Sequence, residues 1–354
     1  MIASCAPSAG PPQQAPAAQP AQPATPLAQQ AKPAAPAPQP ATPSTAPTQA
    51  VKPAGEAKKL VITSGIDASF TDLVVAVKKG FFDKYNIQAE YKPFEDGNVA
   101  LDAVLTGASD LGDSSETAGL VRRSKGGNIW IAGTGPSTPN LIGIVAKDTI
   151  NTPKDIEGKK VGFPRGSGAH LFFGKYVAHH KLDESKMQIV TLPTPESMAA
   201  MRRGDVDVLF LWDPWMTRIV REIPNTKILG YSGDEGIHTL RQYYYFGQRL
   251  TNDKELGVNV LKGLVEANGW IKGNVDESAQ ILGATFNLPT AEAKDQIQRY
   301  EWGTTRFTPE IKRAVEDAAK WLLSIKVIDT LPNLDEYLRP EFMKQAAPDR
   351  VTGY

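Results

Sequence analysis

The chain has 354 residues, with 39 basic and 39 acidic side chains and a single cysteine, Cys5. Zero net charge without a basic block excludes nucleic acid as an expected partner. The lone cysteine excludes an internal disulfide and leaves the folded part no thiol for catalysis or metal binding, and no apolar run reaches bilayer-spanning length.

Composition changes near Lys58. Of 28 prolines, 14 precede that point, among Ala, Gln, Ser and Thr, and only Lys32, Lys52 and Glu56 carry charge between Cys5 and Ala57. Such a segment cannot bury enough apolar surface to offset its ordering entropy, so residues 1–58 are expected to form an extended tether. Its start, Ile2-Ala3-Ser4-Cys5, resembles a bacterial lipobox, although the charged and apolar parts of a signal peptide are not seen before it. The expectation is a lipidated Cys5 anchoring the folded part to a membrane.

The stretch of nearly 300 residues that follows can hold two domains. Leu60 to Thr63 reads as a strand. A helix with Leu73, Val74 and Val77 inward follows, with Gly80 as its C-cap. Ile87 to Tyr91 alternates like a strand, and Val99 to Leu105 is an amphipathic helix. Leu111-Gly112 leads into a hydroxyl-rich turn, and 129–132 and 141–145 are strands. A second α/β run begins near Asp148. It holds a strand ending at Phe163, a helix after Gly168, a strand at 188–191, a helix at 195–203 and a buried strand at 206–211. It returns through 227–229 to a strand at 242–247. Beyond Asp253 the pattern is helical: 258–271, 277–285, 291–298 and 311–325.

Alternating strands and helices imply α/β architecture with mixed, mainly parallel sheets. Such sheets bind ligands at the carboxyl ends of their strands. Four loops there carry polar residues: Ser64 with Asp67 and Ser69; Ser114, Ser115, Glu116 and Thr117; Arg165 to His170; and Trp212 with Asp213. In the third, Arg165-Gly166-Ser167-Gly168 turns a strand into a helix. The first free N–H groups of that helix and its dipole favour an anion. Gly166, Gly168 and Ala169 offer backbone to a ligand, Ser167 a cap and a hydroxyl, and Arg165 a charge. An ordinary strand-to-helix turn gives the same pattern. His170 either touches ligand or packs at a lobe surface, and Trp212 either walls a pocket or fills core. Asp213 either pairs with Arg165 or caps a helix starting near Pro214. Glu116 faces an anion unfavourably and suits an ammonium or a positioning water instead. Of Tyr243, Tyr244 and Tyr245, at most two face the cleft, with core packing the default. His179, His180 and His238 show no metal spacing.

The same residues carry a family resemblance. The chain from about Lys59 onward resembles the solute-binding proteins of ABC importers, in the branch serving sulfonates, taurine, nitrate and thiamine precursors. Lys79-Gly80-Phe81-Phe82 is similar to that family's "kkGlF", and Gly204-Asp205-Val206-Asp207 to its "G-x-v-D" turn. Gly166-Ser167-Gly168-Ala169-His170 and Trp212-Asp213-Pro214-Trp215 are similar to the "GSSAH" and "WDPy" segments of aliphatic-sulfonate binders, and Ser115-Glu116-Thr117 to their first-lobe pocket segment. Gly168 replaces a serine and Trp215 a tyrosine of those patterns.

The resemblance implies a type II periplasmic-binding clamshell. Lobe 1 is 59–147 with 242–354, and lobe 2 is 148–241, with chain crossings near Lys147 and Arg241. It implies a monomeric extracytoplasmic receptor that takes a small organic anion between its lobes and delivers it to an ABC permease and ATPase, with no cofactor and no metal. Sulfonate, taurine, nitrate, an aromatic acid and a pyrimidine all remain open as ligands. The alternative is an enzyme on the same fold. The enzymes among this family's relatives, a sulfinate desulfinase and a thiamine-pyrimidine synthase, use Cys, or Cys and His, whereas the folded part of this chain has no Cys and its four His form no cluster in the sequence. Micromolar binding needs about 8 kcal/mol net, while one hydrogen bond to a charged group contributes roughly 1.5–3 kcal/mol, so several loops must converge on the ligand.

Overall fold

The structure, a computed structural model, describes residues 56–353. Cys5 and all but the last residues of the 1–58 tether lie outside the described residues.

Ten strands form two sheets. In chain order they are β1 (Lys58–Ser64), β2 (Ile87–Pro93), β3 (Leu111–Ser114), β4 (Trp130–Thr138), β5 (Ile142–Lys147), β6 (Lys160–Phe163), β7 (Gln188–Thr191), β8 (Val208–Trp212), β9 (Thr226–Tyr231) and β10 (Leu240–Phe246). The first sheet has the order β2-β1-β3-β10-β4 and the second β7-β6-β8-β5-β9. The sheets share one plan. Each has a parallel trio, β2-β1-β3 or β7-β6-β8, extended by two antiparallel pairings. The expected parallel pairing describes the trios. The antiparallel strand beside each trio, β10 or β5, arrives from the other sheet.

The chain therefore changes sheets between Thr138 and Ile142 and returns between Tyr231 and Leu240. The first change comes before Lys147 because the apolar strand Ile142–Lys147 is paired along its whole length to β8 and β9.

The helices that position the site are α1 (Thr71–Lys78), α2 (Gly97–Leu105), α3 (Glu116–Ser124), α4 (Gly168–His179), α5 (Thr194–Arg203) and α6 (Trp215–Glu222). After β10 come α7 (Gln248–Asn252), α8 (Lys254–Ile271), α9 (Val275–Phe286), α10 (Thr290–Gln298) and α11 (Pro309–Ser324), followed by two short helices, α12 (Leu334–Tyr337) and α13 (Pro340–Ala346). Gly80 takes a φ of +69° just past α1, the left-handed C-cap that its position implied. Among the described residues no helix is long and apolar enough to cross a membrane.

One hydrophobic core runs through both sheets, from Leu60 and Ile62 of β1 to Phe163, Phe172 and Phe210 around β6 and β8. A smaller cluster under α5 and α6 includes Leu209, Leu211, Met216 and Ile219. Tyr243, Tyr244 and Tyr245 are all fully buried. Tyr245 lies directly on α3 at Gly119, where a Cβ would come within 2.2 Å of its ring. Polar contacts also join elements of the different sheets. Thr194 at the start of α5 donates to Asp96 Oδ2 (2.8 Å), and Arg299 after α10 pairs with Asp213 Oδ2 (2.8 Å) after β8.

Candidate functional site

A small cavity lies where the strand ends of the two sheets meet. The first sheet supplies Asp67 and Phe70 after β1, Asp96 to Asn98 after β2, and Ser114 and Ser115 after β3. The second supplies Ile142 of β5, Ser167 and Gly168 at the start of α4, and Trp212 ending β8. Leu240 and Gln242 of β10 form the back. The cavity has a volume of about 40 Å³, several times the ~10–15 Å³ that one water requires.

Two helix starts converge on it. Ser115 and Ser167 hold the extended N-cap positions of α3 and α4. They meet at Gly168, where a Cβ would lie 3.1 Å from Ile142 Cδ1, 3.3 Å from Leu240 Cδ1 and 3.4 Å from Ser115 Cβ. The close approach of β5, β10 and both helix starts thus favours a small residue here.

The charge of the wall is acidic. Among the described residues no Lys, Arg or His side chain lines the cavity, whereas Asp67 and Asp96 do. Asp96 caps α2 through the Asn98 N–H (2.7 Å) and accepts from Thr194. Asp67 accepts at Oδ1 from the Ser69 N–H (2.9 Å) and the Ser69 hydroxyl. Burial pushes its carboxyl up to about 7, against the Ser69 hydrogen bonds, and the charges of Asp96 and Asp213 add to the rise. Behind it, burial lifts Asp72 to about 6, while Tyr244 and Asn268 hydrogen bonds oppose the rise. Asp113 is raised well above its usual range by burial, then by Asp72 and Asp67.

Gln242 links these acids. In one amide orientation it donates to Asp113 Oδ1 (3.0 Å) and accepts from the Ser69 hydroxyl (2.8 Å). That leaves the Ser69 oxygen to accept from a protonated Asp67. In the opposite orientation Gln242 donates to Ser69 (2.8 Å), Ser69 donates to Asp67, and Asp113 must carry the proton. Either way the chain Asp67–Ser69–Gln242–Asp113 is satisfied by one retained proton.

Of the residues singled out in the sequence, Asp67, Ser114, Ser115, Ser167, Gly168 and Trp212 line the cavity. Ser69 stands behind Asp67. Ser64 turns away, to Gly65 O (2.9 Å) and the Tyr91 hydroxyl (2.5 Å). Thr117 bonds Ser115 (3.1 Å), and Ala169 packs in the core. Arg165 and Gly166 line a different groove, with Arg165 exposed and touching Lys326 O (3.5 Å). His170 accepts from the Gly166 N–H (3.1 Å) and stacks on Phe163 (centroids 4.5 Å), and burial holds its pKa down near 4. It braces the turn. Asp213 caps α6 through Thr217 and pairs with Arg299 instead of Arg165. Glu116 lines a groove behind β10.

Sequence reasoning missed Asp96, Gly97, Asn98 and Gln242. The first three follow β2, another parallel strand, so the strand-end rule reaches them once β2 is extended to Pro93. Gln242 had no such signal, because β10 is antiparallel. His179, His180 and Glu235 bring ligand atoms within 4.8 Å of one another near the end of α4. The sequence hid that group because Glu235 is remote in the chain.

A two-sheet α/β protein with convergent loops and a cavity between its sheets is the class that solute-binding proteins occupy. The NMT1/THI5-like family model matches residues 67–248, just over half of the chain, and the chain belongs to that family. A Bacillus subtilis (strain 168) protein named for binding aliphatic sulfonates is 22% identical over 314 residues, covering 85% of this chain and 92% of its own. The taurine-binding periplasmic protein of Escherichia coli (strain K12) is 22% identical over 307 residues, covering 82% and 95%. The alkanesulfonate-binding protein SsuA of Xanthomonas axonopodis pv. citri, solved with MOPS bound, shares the fold at TM-score 0.68 and 19% identity, covering 80% of this chain and 99% of its own. The desulfurization enzyme DSZB also shares the fold, at TM-score 0.61, 15% identity and coverage of 82% and 99%.

The hydroxyl of Ser167 is already engaged, donating to Pro164 O (2.7 Å) and accepting from the His170 N–H (3.3 Å). Ser167→Ala is therefore expected to cost about 1 kcal/mol of stability as a lost cap and to leave ligand affinity within about twofold. Thermal unfolding alongside calorimetric titration checks this; a tenfold affinity loss would restore the hydroxyl as a ligand donor.

Proposed function

We propose that the protein is the extracytoplasmic solute receptor of an ABC importer. Its ligand is a small sulfonate-type anion that also carries a cationic, hydrogen-bond-donating end, as taurine does. The observation that carries this reading is the polarity of the cavity. Its wall includes the starts of α3 and α4, which favour an oxyanion, together with Asp67 and Asp96, and among the described residues no basic side chain lines it. A bare anion would face two carboxylates without a counter-charge, whereas a zwitterion suits both kinds of group. Asp67 Oδ2 has no hydrogen-bond partner among the described residues and is the acceptor for the ligand's ammonium.

In this reading each sheet with its helices forms one lobe, the chain crossing between them at 138–142 and 231–240, and the lobes close on the ligand. The receptor works as a monomer, hands its ligand to a permease and ATPase pair, and is tethered to the membrane by a lipid at Cys5 through residues 1–58. Ligand leaves unchanged. An enzyme reading based on the DSZB fold is disfavoured, because residues 56–353 contain no cysteine and no histidine lines the cavity.

An ammonium pairs with Asp67 only as a carboxylate. The free site holds that proton up to about pH 7, so below this value binding must expel it and affinity falls as pH falls. Taurine affinity is expected to weaken about tenfold from pH 8 to pH 6, and ethanesulfonate, which has the same head without the amine, to bind at least about tenfold more weakly than taurine at pH 8. Equal affinities for the two would remove the cationic end from the proposal. Binding of nitrate or a pyrimidine, with neither sulfonate bound, would replace the ligand class.

The tether makes a separate expectation. Native protein should partition into detergent, and Cys5→Ser should release it to the aqueous phase; partition unaffected by Cys5→Ser rules out lipidation there.

A further inference from the structure

The two faces of β10 look onto different spaces. Leu240 and Gln242 face the cavity described above, while Arg241 and Tyr243, with Thr239 just before the strand, line a second groove on the opposite face. Leu171 and Lys175 of α4, and Arg313, Ala318 and Trp321 of α11, form its other walls. The groove has a volume of about 520 Å³, room for a small organic molecule.

Its wall holds polar atoms with no hydrogen-bond partner: Glu116 Oε2, His238 Nε2 and the Tyr243 hydroxyl. Their residues are 4%, 5% and 0% exposed. Buried polar groups left unpaired are costly, and three around one groove need an explanation. Lys175 Nζ donates to His238 Nδ1 (3.0 Å). Nδ1 is therefore the acceptor, and the neutral ring carries its proton on Nε2 as an unused donor. Arg241 stands beside the Tyr243 hydroxyl and reaches a counter-ion, Glu310, only at 3.9 Å. Arg313 makes no ion pair among the described residues. The acids Glu310 and Asp317 are exposed, so Glu116 is the buried acceptor facing these donors.

We propose that this groove is a second ligand site, for a small hydroxylated organic acid. Its oxyanion head is taken by Arg241, Tyr243, His238 and Lys175. Its hydroxyl donates to Glu116, and its apolar body lies on Leu171, Ala318 and Trp321. Both sites share β10, α3 and α4, but no side chain lines both.

Lactate, 3-hydroxybutyrate and 4-hydroxybenzoate span different head-to-hydroxyl distances and serve as probes in calorimetric titration of the full chain. At least one is expected to bind saturably at one per chain. Lys175→Met, on the exposed rim, and Tyr243→Phe, which keeps the buried ring, should each weaken that binding by tenfold or more. Asp67→Asn, which alters the cavity on the other face of β10, should leave it unchanged. Saturable binding by none of the three overturns the proposal. So does binding that Asp67→Asn changes and Lys175→Met leaves intact, which would place the acid in the first cavity.

Discussion

β10 enters the first sheet from the second and hydrogen-bonds antiparallel to β3 on one side, with Tyr243 opposite Ser114 and Tyr244 opposite Asp113, and to β4 on the other. β5 does the reverse, leaving β4 and pairing between β8 and β9. This exchange of one strand in each direction places the strand ends of both parallel trios around one small space. It also makes β10 a wall with a separate space on each face. Side chains alternate along a strand, so Leu240 and Gln242 face one space while Arg241 and Tyr243 face the other.

The electrostatics of the first space follow from what its carboxylates lack. Asp67, Asp72 and Asp113 are buried together, with Tyr244, Asn268, Ser69 and Gln242 as partners and no cation among them. Burial and mutual repulsion therefore favour retained protons. A positive charge brought beside these acids would replace a proton and remove the repulsion. Arg299 and Asp213, paired across the sheets, show the other outcome: there the acid has its counter-charge inside the protein and has nothing left for a ligand.

Strands with alternating or continuous apolar runs, the helix ends at Gly80 and the Ser167 cap were legible in the sequence, because each is specified by residues within a few positions. The loops after β1, β3, β6 and β8 were legible as strand ends, and six of their residues do line the cavity. What local pattern could not show was pairing between remote segments. Asp213 binds Arg299, Asp96 binds Thr194, and Gln242 reaches Asp113. The direction of β10 was hidden for the same reason, and with it which of its side chains face the ligand. An anionic ligand was expected from the helix starts and the family likeness. The acidic half of the wall emerged only when the loops after β1 and β2 met.

The central claim is that Asp67 exchanges its proton for the ligand's cationic end. Proton release measures this directly, through taurine titrations at pH 7 in buffers of different ionisation enthalpy. With the Asp67 carboxyl at about 7, about half a proton is expected to leave per taurine bound, and none in Asp67→Asn. Taurine binding with no proton released, or with the same release in Asp67→Asn, would contradict the account.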